Sequence, residues 1–276
     1  MISSLLLTTG EEGVKHEKVG AEFIMHHITD SNTLELPLLG EIHLPQIHVM
    51  GYDISITKHV VMMWFASLIL IAIFGVAFRR PQMVPRGLAN FFEFLISYLE
   101  EDILKPYLGK QSRKYAPYLL TAFFFILTCN LLGLVPMGAT ATGNISVTAS
   151  LAILTFIMVQ IAGIRSHGLF GYLKGFIPPD LPLFILPLMI PVEIIGLLTK
   201  HVALAIRLFA NMIAGHVVIF ALMSLIFTFR NWIIGGVTLG GILFVSLLEV
   251  LIALIQAYIF TILSAVFISM AIYQEH

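Results

Sequence analysis

The chain has 276 residues, 58% of them hydrophobic and 11% charged, with a mean hydropathy of +0.96. Soluble domains carry about 25% charged residues, so this composition belongs to an integral membrane protein whose solvent is the lipid bilayer. A formal net charge of −1 argues against nucleic acid as a partner, and a single cysteine, Cys129, excludes an internal disulfide framework.

The opening residues, MISSLLLTTGEEG, lack the basic region and long apolar core of a signal peptide. Residues 1–57 are polar to mixed, as expected of a non-cytoplasmic segment resting against the membrane surface. His26, His27, His43 and His48 fall there without C-x-x-C or H-E-x-x-H spacing, so no metal site is assigned. Residues 58–276 form the membrane domain. Its first span is expected over about 60–78, VVMMWFASLILIAIFGVAF, enough helix to cross about 30 Å of hydrocarbon.

Residues 83–105 read differently. Leu88, Phe91, Phe92, Leu95, Leu99 and Ile103 recur at helical spacing, with Arg86, Asn90, Glu93, Ser97 and Glu100 on the other side. Such an amphipathic helix suits the membrane surface better than its interior. Two spans follow near 117–136 and 145–164, and GIRSHGLFGYLKGF closes that hairpin. Arg79, Arg80, Arg86, Lys105, Lys110, Arg113, Lys114, Arg165 and Lys174 flank the spans on one side, against Lys58 and Arg230 on the other. This bias puts the N-terminus outside and the C-terminus in the cytoplasm.

Pro178, Pro179, Pro182, Pro187 and Pro191 mark an irregular entry into the next span, about 188–228. The 37 residues from Val192 to Thr228 contain no proline, and as one helix they would reach about 55 Å. That is nearly twice the hydrocarbon thickness of about 30 Å. TKHVALAIRLFANM offers no turn for a double crossing, so a steeply tilted helix is expected. FRNWIIGG turns the chain into a last helix over about 240–272. The fold class is therefore all-α: about five membrane helices plus one interfacial amphipathic helix, the last two long and tilted as a hairpin.

RLFANMIAGH, Arg207 to His216, sits inside one of the most apolar stretches. A charge at the bilayer centre costs roughly 2.5–3.5 kcal/mol on insertion scales, which makes it a functional residue by default. At about 100° per residue, Glu193, Gly196, Lys200, Ala203, Arg207, Ala210, Asn211 and Ala214 fall within an arc of about 100°. Small residues on such a seam let another surface approach closely in lipid. A large partner with an anionic group for Arg207 is implied.

His216, nine residues on, points to the opposite side of the helix. In an antiparallel hairpin turning at FRNW, His216 comes level with Glu249 and Asn211 with Gln256. A histidine–glutamate pair with two amides further in has the composition of a proton relay opening to the outer side. Taken singly, Asn211 and Gln256 equally suit a structural bond between helices, and Glu193 and Lys200 an ion pair at i, i+7.

NLLGLVP (130–136), TGNISVTASLAI (142–153), RLFANMIAGH (207–216) and LIQAYIFTILSAVFISMA (254–271) resemble, in order, subunit a of F-type ATP synthases. The resemblance covers most of residues 55–276. It implies a proton-translocating stator without catalytic residues or cofactors, sitting in a bacterial plasma (inner) membrane. Its implied partners are a ring of c subunits bearing membrane-embedded carboxylates, the b subunits of the peripheral stalk and, indirectly, the catalytic F1 sector. Arg207 corresponds to the family's essential arginine, Glu193 to its inner half-channel glutamate, and Asn211, His216, Glu249 and Gln256 to the outer half-channel. Gly196, Lys200, Ala203, Ala210 and Ala214 would face the ring. Ala210 stands where the family usually has glycine, and His201 where it often has proline. The acid and histidine at positions 216 and 249 are exchanged relative to many bacterial members.

A stand-alone ion-coupled secondary transporter is the alternative, but it would carry repeats with broken helices in both halves. An intramembrane hydrolase would need a zinc or nucleophile motif, and a pure scaffold would leave Arg207 unexplained. No G-x-x-x-x-G-K-[ST] occurs, so ATP chemistry would belong to partner subunits.

Overall fold

The computed structural model describes residues 33–36, 40–43, 45, 48–49, 52–53, 55–79, 85–135, 140–175, 186–229 and 231–273. His26 and His27 lie outside the described residues. Two short antiparallel pairs precede the helices: β1 (Thr33–Leu36) with β2 (Gly40–His43), and β3 (His48–Val49) with β4 (Tyr52–Asp53). Polar–apolar alternation in TLEL is what forms β1, a signal too short to stand out among neighbouring glycine and proline.

The membrane portion is helical: α1 (Lys58–Ala77), α2 (Leu88–Leu99), α3 (Lys105–Leu108), α4 (Ser112–Gly133), α5 (Ile145–Lys174), α6 (Leu186–Phe229) and α7 (Trp232–Ile272). Among the described residues, five helical stretches are long and apolar enough to cross a membrane. In lipid every backbone N–H needs an internal partner, and this carries helix through residues that would break it in water. Asn231 caps α7 by accepting from the Ile233 N–H at 2.9 Å, so α7 starts eight residues before the expected 240. Gly235, Gly236, Gly240 and Gly241 lie within it as helix.

α4 likewise begins at Ser112, ahead of Pro117. α5 continues past 164 to Lys174, broken at Gly168, where φ is 71° and ψ 169°. That left-handed residue turns the last segment back on the helix, and Tyr172 packs on Gly163, whose added Cβ would lie 2.2 Å from the ring.

A π-helical turn over Glu100–Leu104 joins α2 to α3, and Gly109, at φ 51°, ends the element before α4. The extra residue of a π turn brings both Ile103 and Leu104 inward, where with Leu99 and Leu108 they are fully covered. The inward stripe is Phe92, Leu95, Ile96 and Leu99; Leu88 and Phe91, expected on it, are exposed, as apolar side chains on a lipid-facing surface can be. Three bonds tie this element to α7 and the residue that caps its C-terminus: Tyr258 to the Asp102 carboxylate, Ser269 to the Tyr107 carbonyl at 2.6 Å, and Tyr273 to the Leu108 carbonyl at 3.0 Å.

α6 and α7 have 44 and 41 residues, about 66 and 62 Å at 1.5 Å per residue. Each is about twice the thickness of the hydrocarbon core, so each lies far from the membrane normal if it stays within the bilayer. They pack as an antiparallel hairpin over a core that includes Leu119, Phe123, Leu204, Leu208, Phe260 and Ile268.

Candidate functional site

α6 is two-faced. His201, Leu204, Ala205, Leu208 and Met212 are buried and recur every three or four residues, the helical period of an inward stripe. The small-residue seam faces away from the core: Lys200, Ala203, Arg207, Ala210, Asn211 and Ala214 are exposed, Glu193 and Gly196 half-buried. A Cβ added at Gly196 would meet nothing within 4 Å. Arg207 makes no hydrogen bond or ion pair among the described residues, and neither Glu193 nor Lys200 pairs with the other. An intramembrane cation without a partner among these residues is left unsatisfied by them.

The hairpin places its polar residues as the turn arithmetic requires. Asn211 Nδ2 donates to Gln256 Oε1 at 2.7 Å. His216 Nδ1 stands 3.8 Å from Glu249 Oε1, within ion-pair range but beyond hydrogen-bond reach. The carboxylate lies directly over Gly215, where a Cβ would come 1.9 Å from Oε1. Glycine is what lets the acid sit here.

Further groups were not singled out from sequence. Thr140 Oγ1 lies 2.8 Å from His216 Nε2, and the Thr140 carbonyl accepts from His59 Nδ1 at 3.0 Å. Thr140 packs on Gly133, leaving 2.1 Å between its Oγ1 and an added Cβ. Nearby, Thr142 donates to Asn130 Oδ1 at 2.7 Å. Asn130 and Thr142 lie within the family-like motifs, so a signal existed. What sequence lacked was the folding of the 140–143 segment back onto α6, which no periodicity reports.

At the other end of the bundle is a cleft of about 120 Å³, lined by Glu193, Lys200 and His201 of α6, Tyr172 of α5 and Phe267 and Met270 of α7, among others. At the roughly 30 Å³ that each water occupies in the liquid, it has room for several. Along α6, Glu193 lies fourteen residues before Arg207 and His216 nine after it, about 21 and 14 Å. Two polar clusters thus approach the exposed arginine from opposite ends. Of the residues read from sequence, the structure joins His216 with Glu249 and Asn211 with Gln256, and leaves Glu193 apart with the cleft.

Comparison with known proteins agrees with the motifs. The family model for the ATP synthase A chain matches residues 60–269. ATP synthase subunit a of Chloroherpeton thalassium is 50% identical over 256 residues, covering 91% of this chain and 77% of the relative. ATP synthase subunit a 2 of Chlorobaculum tepidum is 45% identical, covering 94% and 75%. ATP synthase subunit a of Chlorobium phaeobacteroides is 46% identical, covering 97% and 80%. With a matched region that reaches all five long apolar helices among the described residues and takes in the arginine seam, the chain belongs to the ATP synthase A chain family.

Proposed function

We propose that this chain is the proton-translocating stator of a rotary ATP synthase, with two offset half-channels that load and unload protons on the carboxylates of a c-subunit ring. The observation that carries the reading is Arg207, a cation with no partner among the described residues, exposed on a strip of small residues between two polar clusters. A proton enters from outside through the cluster of His216 and Glu249, with Asn211 and Gln256 leading inward, and neutralises a ring carboxylate. Neutral, the carboxylate can travel through lipid without the cost of a buried charge. After nearly a full turn it meets the Glu193 cleft and gives up its proton to the cytoplasmic side.

Arg207 favours the ionised carboxylate by direct attraction and stands between the clusters, so no proton crosses without riding the ring. Gly196, Ala203, Ala210 and Ala214 keep the sliding contact close, with Lys200 toward its inner end. Each elementary charge moved gains about 2.3 kcal/mol per 100 mV, which the ring turns into rotation.

The chain performs no chemistry on ATP; that belongs to the catalytic sector, which it meets indirectly, with b subunits of the peripheral stalk holding it against the ring. The bias of basic residues supports an N-terminus outside and a C-terminus in the cytoplasm of a bacterial inner membrane, with residues 83–105 lying at the surface. No observation favours a stand-alone secondary transporter.

The test is Arg207→Ala in membranes carrying the whole complex. ATP-driven proton pumping is lost, while passive proton conduction through complexes stripped of their catalytic head persists or rises. Pumping at the wild-type rate would make the arginine structural and sink the reading.

A further inference from the structure

The outer cluster contains a hydroxyl to which neither the motifs nor the family match assigns a part. Thr140 lies between NLLGLVP and TGNISVTASLAI, inside neither. The residue is buried, 5% exposed, and its Oγ1 is 2.8 Å from His216 Nε2. Helical threonines of this chain turn their hydroxyls to their own backbone: Thr148, Thr155, Thr228, Thr238 and Thr261 each donate to a carbonyl of the helix they stand on. Thr140 reaches instead to an imidazole 76 residues away.

Its seat is fixed from several sides. The Thr140 carbonyl accepts from His59 Nδ1 at 3.0 Å and from the Gly143 N–H at 2.9 Å, which engages both of its lone pairs. Two residues on, Thr142 donates to Asn130 Oδ1 at 2.7 Å, tying the segment to α4. The threonine side chain rests on Gly133, where an added Cβ would stand 2.1 Å from Oγ1 and 2.6 Å from Cγ2. A group locked in this way can hold a neighbour in place.

What it holds is the ring that faces Glu249, with His216 Nδ1 3.8 Å from Glu249 Oε1. A half-turn of an imidazole exchanges each nitrogen for a carbon, so a bond at Nε2 also keeps Nδ1 toward the carboxylate. A threonine hydroxyl both donates and accepts: it donates to a bare Nε2 and accepts from a protonated one. The backbone carbonyls of Gly133 and Met212 also approach the ring, but a carbonyl only accepts and offers nothing to a bare nitrogen. Valine has the same shape as threonine, so packing on Gly133 alone does not explain a hydroxyl here.

We propose that Thr140 is a positioning residue of the outer half-channel, its hydroxyl keeping the His216 ring turned to Glu249 whether or not the ring is protonated. It acts through His216 and does not itself carry the proton. This rests on the reading of the His216–Glu249 cluster as the outer half-channel.

The experiment measures ATP-driven proton pumping by the intact complex in liposomes, per assembled complex, in two pairs that differ at the hydroxyl. Wild type is compared with Thr140→Val, which keeps the shape, and Thr140→Ser with Thr140→Ala. The valine and alanine variants are expected to pump roughly ten- to a hundred-fold more slowly, the upper figure being what a misplacement of about 1 Å can cost. The serine variant keeps most of the wild-type rate, and the serine–alanine pair decides the matter if the valine variant fails to assemble. Equal pumping within each pair would overturn the inference, and so would pumping that survives in valine and fails in serine, since the methyl group would then be what the position supplies. His216→Leu is the reference. Impaired pumping there, with no difference within the Thr140 pairs, leaves the half-channel reading standing without this inference. Wild-type pumping in His216→Leu would remove the cluster as the outer half-channel, and this inference with it.

Discussion

Gly215→Ala separates the cost of a substitution to packing from its cost to proton transfer. The added Cβ would stand 1.9 Å from Glu249 Oε1, 2.8 Å from Cδ and 3.0 Å from Cγ. Ordinary contact begins near 3.4 Å, so the carboxylate oxygen must retreat by at least 1.5 Å. All three atoms belong to the outer part of a flexible side chain, so the acid swings aside and the helices need not part. The fold therefore pays little, at or below the low end of the roughly 1–3 kcal/mol typical of overpacking.

The functional cost is larger, because the His216–Glu249 separation is already 3.8 Å and the retreat breaks the pair. Misplacement of a reacting group by about 1 Å can lower a rate about a hundred-fold. The expected result is normal assembly of the complex with ATP-driven pumping down by about one to two orders of magnitude. Adding Glu249→Asp, one methylene shorter, should recover part of the rate. Assembly and pumping both at wild-type levels would refute the claim that the position of this carboxylate matters, and assembly failure would refute the claim that the side chain yields first.

Gly133→Ala is expected to act oppositely. Its Cβ would meet Thr140 Oγ1, Cγ2 and Cβ at 2.1, 2.6 and 2.7 Å, and a threonine Cβ moves only with its backbone, so the quantity of assembled subunit in the membrane falls. Asn211→Leu leaves the Gln256 carbonyl, in a side chain only 1% exposed, without its donor. Thermal unfolding of the complex in detergent should show a loss of about 1 kcal/mol, and the double change to leucine should cost less than the single one, since removing both partners spares the unpaired group. His59→Leu removes the donor that holds the Thr140 carbonyl, whereas His59→Asn presents an N–H near the place of Nδ1. Pumping should fall in the first and largely survive in the second; equal loss in both would mean that the imidazole itself is required.

The amino-acid sequence determined, by itself, that the chain lives in lipid, where its long helices lie, and that Arg207 stands on a strip of small residues. Hydrophobicity is a sum over local residues, and the 3.6-residue period assigns a side chain to a face before any neighbour is known. The His216–Glu249 and Asn211–Gln256 pairings were legible for a related reason: an antiparallel hairpin with a short turn leaves one register, and counting back from FRNW finds it. Helix ends were less legible, because lipid forbids unpaired backbone and so extends α7 through four glycines that read as a turn in water. Contacts between distant segments were decided only by the tertiary structure. Nothing local tells Thr140 to reach His216, Glu249 to lie on Gly215, or His201 to share a cleft with Glu193 and Tyr172. Those placements follow from how four helices close around a common core, and a side chain's surroundings there come from elements as much as 76 residues away.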